Sequence, residues 1–258
     1  MSNPDLLDIE RIEILKGPQG TLYGRNTLSG LVNLVTKKPD NEMRGRVRLE
    51  IAAYDSDNDG MRYRAGAALS GPIQEDHLFM GVAVHGLSSD GFRTDIATGD
   101  DKTSDQQHLD ARGTLRYTPS TNLDISFTAE GSKHDDGFGV YRLVSGPFAT
   151  PAHTVNSGDP GLDKNETNNA QNLKIRWQAE NWNLVSVTSR MDYDIDFISD
   201  MDFMGRPMFS GFGFDDLQYS QEIRIASEDN SSLNWLAGVY GFKEDTGTYL
   251  DIQGGPKH

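Results

Sequence analysis

The sequence predicts an all-β protein whose antiparallel strands cross a membrane. Three observations support this fold class: apolar and polar residues alternate with period two, short and long connections alternate between the segments, and no segment has helical periodicity. Hydropathy alone would indicate an ordinary soluble protein, because only 36% of the 258 residues are hydrophobic. A membrane β-barrel nevertheless scores as hydrophilic, since its lipid-facing apolar residues alternate with polar residues that face the interior.

The alternating segments predict nine strands. In residues 44–53, for example, Val47 and Leu49 alternate with Arg46 and Arg48. The other predicted strands cover 61–70, 77–86, 108–117, 123–131, 172–179, 185–197, 217–226 and 233–242. Segments of about 9–11 residues fit a tilted strand that crosses a membrane, whereas about 5–6 residues is usual for a strand of a soluble sheet.

The predicted connections alternate between tight turns and long loops. Residues 119–122 and 180–182 are short turns, whereas 87–106, 132–168 and 198–216 are long and acidic. Barrels of the bacterial outer membrane have short turns at the periplasmic end and long loops outside. The connections therefore favour a membrane barrel over a soluble sandwich.

One predicted strand, 185–197, carries three like charges. Asp192, Asp194 and Asp196 share one face, and Val187 belongs to the apolar set on the opposite face. Like charges repel when they are close, so the three aspartates are tolerable only in a wet interior or outside the membrane. We interpret them as a solvated wall.

Composition excludes several functions. A formal net charge of −15 argues against a nucleic-acid partner, because phosphate binding needs clustered Lys and Arg. The absence of cysteine excludes disulfides, thiolate metal sites and a cysteine nucleophile. No stretch approaches 18 uninterrupted apolar residues, which argues against a transmembrane helix.

Motifs for enzymes and metal sites are also missing from the sequence. The glycines between Gly17 and Gly24 lack the spacing of a phosphate-binding loop, and the six histidines form no H-x-x-x-H pair. Residues 55–60 start like a calcium loop, but the twelfth position is Gly66 where a glutamate is needed, which favours a polar hairpin turn. The sequence thus predicts no catalytic residue, no resident metal and no cofactor.

The first 40 residues differ from the rest. A β-rich stretch at 9–15 leads into a glycine turn that starts at Gly17, and 31–36 is a nearly continuous apolar run that fits a strand covered on both faces. Basic and acidic residues are balanced up to residue 50, with eight and seven, whereas sixteen and thirty-two follow. We therefore predict a boundary near residue 40, with one domain over 1–40 and another over 41–258.

This first segment resembles a known family. Residues 9–27 read IERIEILKGPQGTLYGRNT and residues 30–39 read GLVNLVTKKP, which closely resembles the end of the plug domain of siderophore-type TonB-dependent outer-membrane receptors. Segments 221–227 and 235–240 are similar to barrel strands of these receptors. The resemblance implies a plug inside a 22-stranded barrel. It assigns 1–40 to the C-terminal part of the plug domain and 41–258 to about nine of the 22 strands, a partial antiparallel transmembrane β-barrel. On this basis we expect a fragment, with the signal peptide, the TonB box and most of the plug before Met1.

The resemblance also implies particular site residues. It marks a plug motif and barrel latch at Lys16, Gly17, Pro18, Gly20, Tyr23 and Gly24. In the family, the basic residue before Gly-Pro contacts carboxylates of the barrel wall; a lysine at this position can make only a point-charge contact, because it lacks the fork of arginine. Four residues of the longest predicted loop are candidates for contacting a ligand at the external mouth: His134, Phe138, Tyr141 and Phe148. An ordered external loop without a ligand is the alternative.

The function implied by the resemblance is transport. Such a receptor takes up a scarce ligand, above all an iron–siderophore complex, across the outer membrane of a Gram-negative bacterium. Its partners would be outer-membrane lipid, a small-molecule metal chelate and the TonB–ExbB–ExbD complex, and it would have no enzymatic activity.

The alternative is a soluble β-rich binding or carbohydrate-active domain. Such a domain would bury Leu115, Ile125 and Ile175, whereas the membrane hypothesis predicts that these residues face lipid. A passive porin would explain the strands but not residues 9–39.

Overall fold

The structure, a computed structural model, describes residues 8–17, 30–55, 59–137, 141–157, 163–206, 208–228 and 233–254. Four residues of the predicted plug motif, Pro18, Gly20, Tyr23 and Gly24, and one predicted loop residue, Phe138, lie outside the described residues. The described part of the chain includes no helix that is long and apolar enough to cross a membrane.

Thirteen strands make up the secondary structure of the described residues. In chain order they are β1 (Ile9–Lys16), β2 (Gly30–Thr36), β3 (Arg44–Ala53), β4 (Met61–Gln74), β5 (Leu78–Ser89), β6 (Thr94–Asp95), β7 (Gln106–Ser120), β8 (Leu123–Gly137), β9 (Thr154–Val155), β10 (Asp163–Gln178), β11 (Trp182–Asp200), β12 (Met208–Ser227) and β13 (Leu236–Gly254).

These strands form three sheets. β1 and β2 pair antiparallel as a separate two-stranded sheet. A nine-stranded antiparallel sheet follows the order β3-β4-β5-β7-β8-β10-β11-β12-β13, so each strand pairs with the next long strand along the chain. The short strands β6 and β9 pair parallel and join two of the long connections. Tight turns after β4, β7 and β10 thus lie at one end of the large sheet, and the long connections lie at the other.

The nine predicted strands correspond to the nine strands of this large sheet. The bounds of β3 agree with the prediction of 44–53, but most other strands are longer. β8 continues to Gly137 and β10 begins at Asp163, so the predicted 132–168 loop is shorter than expected. The added residues are largely polar. Backbone hydrogen bonds pair them whatever their side chains, so apolar alternation could not reveal them.

The pairing register defines two faces of the large sheet, because directly opposite residues point to the same side. Met80, Leu115, Phe127 and Leu173 form one row across four neighbouring strands. We call the side that carries this row the apolar face; it includes Val47, Leu49, Ile51, Leu69, Val82, Leu115, Tyr117, Phe127 and Ile175. The opposite side is the polar face, with Arg46, Arg112, Arg116, Lys174 and Arg176.

Most large side chains on the apolar face are exposed. Val47 is 72% exposed, Leu115 is 47% exposed and Phe127 is 45% exposed. The buried hydrophobic side chains among the described residues are few: Phe79, Ala83, Leu87, Val155 and Phe209. A continuous exposed apolar surface of this extent is typical of a protein region that contacts another apolar phase or partner.

Candidate functional site on the polar face of the sheet

The N-terminal segment, which we define as described residues 8–17 and 30–40, contacts the polar face at two points. At the first, the Asp8 carboxylate forms an ion pair with the Arg112 guanidinium of β7. Asp8 directly precedes β1, and its carbonyl accepts a hydrogen bond of 2.9 Å from the Lys37 N–H that follows β2. This contact therefore holds the open end of the β1–β2 hairpin.

The second contact is made after β2. Arg116 of β7 donates a hydrogen bond of 3.0 Å from Nη1 to the Pro39 carbonyl, and its Nη2 lies 3.2 Å from a carboxylate oxygen of Asp124. The Arg116 guanidinium also lies over the Phe79 ring, 5.3 Å from the centroid. One guanidinium can contact the carbonyl, the carboxylate and the ring together, because its N–H donors lie in a plane whose face stacks on aromatic rings.

Two neighbours shape this second contact. Lys38 Nζ lies 3.9 Å from the Asp124 carboxylate, and burial together with repulsion from Arg176 lowers the pKa of Lys38. Pro39 packs on Gly81 of β5, where an added Cβ would lie 3.1 Å from the Pro39 Cγ. The absence of a side chain at Gly81 thus lets the segment approach the sheet closely.

Basic side chains extend along the polar face toward the tight turns. Arg176 lies opposite Asp124 in the pairing of β8 with β10, and Val185 follows on β11 opposite Arg176. A cavity of about 920 Å³ at this end is lined by residues that include Arg116, Asp124 and Arg176. The polar face is therefore locally basic, although the chain as a whole is acidic.

Toward the long connections, the polar face carries a network of three histidines and two aspartates. Asp110 faces His134 Nε2 at 2.9 Å and His85 Nδ1 at 3.4 Å, and Asp136 faces His108 Nε2 at 2.7 Å. The His108 and His134 ring centroids are 4.1 Å apart. No group of three His, Asp or Glu side chains within the described ranges has the geometry of a metal site.

Sequence reasoning missed this network because its members come from three strands. His108 lies opposite His134 in the register of β7 with β8, and His85 lies opposite Asp110 in the register of β5 with β7. A search for two histidines on one helix cannot find such a group. The signal that could have found it is the position of each histidine on the polar side of an alternating strand.

Two of the predicted latch residues, Lys16 and Gly17, lie at the C-terminal end of β1. Lys16 ends β1 and pairs with Gly30, and Gly17 follows with φ of +85°. An added Cβ at Gly30 would lie 2.6 Å from the Leu15 carbonyl oxygen, so this position requires glycine. The contacts described above reach the sheet through Asp8 and through Lys38 and Pro39, none of which the sequence analysis had proposed. The predicted Lys16 latch itself stays a prediction.

The predicted ligand residues do not all occupy the external loop. His134 belongs to β8, and its side chain is 4% exposed within the histidine network, so its placement in a loop was wrong. β8 extends past it because His134 pairs with both His108 and Glu166. Tyr141 is exposed and its ring contacts Phe203 at 5.9 Å.

The long connections nevertheless carry aromatic side chains, as the sequence suggested. Phe148 is 44% exposed. Phe92 stacks on Tyr54 with ring centroids 4.9 Å apart and meets the His153 ring edge-on at 6.2 Å. Tyr54 and Phe92 were not predicted, because they lie in different connections and only the folded chain brings them together.

The long connections also pack against one another. Asp95 of β6 is buried and accepts hydrogen bonds from the Ser157 hydroxyl and from the Ala97 N–H at 2.9 Å. The Gly205 N–H donates to the Asn156 carbonyl at 2.9 Å. Three connections are therefore joined by hydrogen bonds.

Fold and site together define a class of protein. Long antiparallel strands with one exposed apolar face, tight turns at one end, packed connections at the other and an N-terminal hairpin seated on the polar face are the features of a plugged outer-membrane barrel. Residues 1–31 match the family model described as the TonB-dependent Receptor Plug Domain.

Curated relatives agree with this class. The chain is 27% identical to the pesticin receptor of Yersinia pestis over 242 residues, which are 91% of this chain and 34% of that protein. It is 45% identical to the metal-pseudopaline receptor CntO of Pseudomonas aeruginosa over 38% of this chain and 13% of that protein. The chain thus spans about a third or less of the length of these relatives.

Solved structures share the fold. The ferric yersiniabactin uptake receptor FyuA from Yersinia pestis superposes with a TM-score of 0.78 at 22% identity, over 96% of this chain and 38% of that one. The ferric citrate transporter FecA gives the same TM-score at 11% identity, and the match covers 96% of this chain and 36% of that one. The all-β fold predicted from the sequence and its resemblance to TonB-dependent receptors are confirmed. These relatives are receptors and transporters, in agreement with the prediction that the chain is not an enzyme.

Proposed function

We propose that the protein acts as a TonB-dependent receptor of the Gram-negative outer membrane that imports a metal chelate, above all an iron–siderophore complex. The observation that carries this proposal is the plug-like hairpin attached to the polar face of a sheet whose other face is apolar. In this proposal the apolar face contacts lipid, residues 1–40 are the C-terminal part of the plug, and residues 41–258 are barrel wall.

The ligand class is supported by two independent features. Relatives are named for ferric yersiniabactin, ferric enterobactin and metal-pseudopaline, all of which are metal chelates. The polar face offers clustered basic side chains, which favour anionic ligands over neutral or cationic ones. The basic side chains belong to Arg46, Arg112, Arg116, Lys174, Arg176 and Arg224.

Transport in this proposal depends on the TonB–ExbB–ExbD complex acting on the plug. Asp8 holds the hairpin from the N-terminal side, whereas Lys38 and Pro39 hold it next to β3. A pull from the N-terminal side would load the Asp8–Arg112 ion pair first, because Asp8 precedes β1 in the chain. The second attachment would keep the end of the plug at the wall.

Uptake of iron under iron limitation tests the proposal. A Gram-negative strain that carries the gene should accumulate radiolabelled iron from at least one siderophore, and deletion of either this gene or TonB should remove that uptake. Uptake that persists without TonB would favour a passive porin. Recovery of the chain as a compact monomer in the detergent-free soluble fraction would contradict the membrane proposal and favour the soluble β-rich domain.

A further inference from the structure

Methionine is concentrated at one place in the chain. Three of its eight methionines, Met201, Met204 and Met208, lie within the connection between β11 and β12 and the first residue of β12. This connection is at the end of the large sheet that carries the long connections. Met201 is 41% exposed and Met208 is 42% exposed, so packing in a core does not explain why thioethers gather here.

The two exposed methionines lie opposite each other across the hairpin. The ladder between β11 and β12 ends at the pair of Asp200 with Phe209, and the same register places Met201 opposite Met208. The Met201 N–H donates a hydrogen bond of 3.0 Å to the Met208 carbonyl. Directly opposite residues of an antiparallel pair point to the same side, with Cβ atoms about 4.5–5.5 Å apart. Two long, flexible thioether side chains at this spacing can reach one ion.

Hydrogen bonds to two carboxylates order the turn that carries Met204. The Asp200 carboxylate accepts from the N–H groups of Asp202 and Phe203, at 3.1 and 2.9 Å. The Asp202 carboxylate accepts from the Met204 N–H at 2.9 Å. A backbone held in this way keeps the three thioethers in one short turn, and less conformational freedom is lost when an ion binds.

The charges and the ligand types of this turn favour a soft cation. At neutral pH Asp200 and Asp202 contribute two carboxylates against the single guanidinium of Arg206. Within the described part of the chain, no group of three His, Asp or Glu side chains has the geometry to hold a metal ion, so a harder ion finds no such ligand set here. Thioether sulfur instead selects Cu(I), and the chain, which lacks cysteine, has no other sulfur ligand.

We propose that Met201, Met204 and Met208 bind one Cu(I) ion through their thioether sulfurs. Ag(I) has the same charge and the same soft character, and it occupies the same site. The ion binds and leaves as Cu(I), so the proposal includes no electron transfer. The site goes beyond the proposed function, because it takes a free soft cation where the receptor takes a chelate, and its occupancy does not depend on transport.

Silver binding to the full chain in detergent micelles tests the site, with isothermal titration calorimetry in a chloride-free buffer as the readout. The double variant Met201→Leu and Met208→Leu is expected to weaken the binding of Ag(I) at least about tenfold, since loss of an outer-shell group alone costs about 10–100-fold in metal affinity. Leucine keeps the volume and the apolar character of methionine, so the fold is preserved. Met80→Leu changes an exposed methionine of the apolar face and serves as the matched control, with no change expected.

Nuclear magnetic resonance of the chain with isotope-labelled methionine methyl groups identifies the ligands directly. Ag(I) should shift the methyl signals of Met201, Met204 and Met208, assigned from their leucine variants, and leave those of Met80 and Met191 unchanged. Circular dichroism of each variant establishes that the sheet has formed. Absence of Ag(I) binding by the parent chain, or equal binding by the parent and the double variant, overturns the proposal. An unchanged Met204 signal would overturn the assignment of the third ligand.

Discussion

Val187 of β11 lies directly opposite Lys174 of β10, so the two side chains share the polar face of the sheet. Val185 likewise lies opposite Arg176, whereas Ser186 and Thr188 lie opposite Ile175 and Leu173 on the apolar face. The apolar set of the predicted strand 185–197 therefore points to the same side as the arginines. Asp192, which alternates with that set, points to the side that carries the apolar face.

The first prediction uses this register. Because the chain has no cysteine, a single introduced cysteine can be labelled without interference. A fluorophore at Leu115→Cys or Thr188→Cys should be quenched by probes embedded in the bilayer, and a fluorophore at Val187→Cys should not. Quenching at Val187 with none at Thr188 would contradict the register. Absence of quenching at all three positions would contradict the membrane proposal.

The second prediction concerns the Arg116 contact. Arg116→Met should detach the segment near Pro39, because the hydrogen bond to the Pro39 carbonyl and the ion pair with Asp124 are lost together. A hydrogen bond to a charged group is worth about 1.5–3 kcal/mol, so trypsin should cleave after Lys37 at least about tenfold faster. Lys243→Met, on an exposed position of the edge strand, is the control. Unchanged cleavage in Arg116→Met would show that the segment is held in another way.

The third prediction concerns glycine at the same contact. Gly81→Ala should weaken the attachment of the segment, because the new Cβ would lie 3.1 Å from Pro39 Cγ. Gly113→Ala on the neighbouring strand has no atom within 4 Å of the new Cβ and should be neutral or slightly stabilising. The rate of hydrogen exchange at the Lys37 amide measures the difference. Equal exchange rates in the two variants would refute the close approach of Pro39.

The fourth prediction concerns the histidine network. Asp110→Asn should lower the free energy of unfolding by about 1–3 kcal/mol, because His85 and His134 contact different oxygens of the Asp110 carboxylate and the amide replaces one of these oxygens with an NH2 group. Denaturant unfolding in micelles, followed by tryptophan fluorescence, measures the change. Asp192→Asn alters an exposed aspartate and should leave stability nearly unchanged. If both variants unfold alike, the network makes no net contribution.

The fifth prediction concerns pH. Asp200 is the last residue of β11 and lies at the end of the sheet that carries the long connections. Burial raises its pKa to about 6 despite hydrogen bonds from the N–H groups of Asp202 and Phe203. A raised carboxyl pKa stabilises the fold below the unfolded value of about 3.9, and this contribution is lost as pH rises through about 6. The turn 201–206 should therefore open more often at pH 8 than at pH 5, measured by amide exchange corrected for intrinsic rates. Equal opening at both pH values would contradict the raised pKa.

Much of the fold followed from local patterns. Val47 and Leu49 alternate with arginines, and a period of two is an intrinsic property of strands, so nine strands and their order were accessible from the sequence. The tight turns between neighbouring strands predicted sequential antiparallel pairing. Strand ends were less accessible, because polar residues such as His134 and Asn165 extend the ladder through backbone bonds that leave no apolar signal.

The site was less predictable than the fold. The resemblance drew attention to Lys16 and the glycines after it, and it did not point to Asp8, Lys38 or Pro39, which contact the large sheet. These contacts pair residues separated by 77 or more positions in the chain, as in Arg116 with Pro39 and Arg112 with Asp8. Single-sequence patterns carry no information about such distant pairs.

The sequence by itself determined the fold class, the number of long strands and the relation to TonB-dependent receptors, because alternation, turns and the 9–39 motif are local properties of the chain. Only the tertiary structure decided which side of β11 joins Lys174, how His85, His108 and His134 meet, and where Asp8 reaches Arg112. Each of these depends on register between strands, and a shift of one residue would move every side chain to the other face.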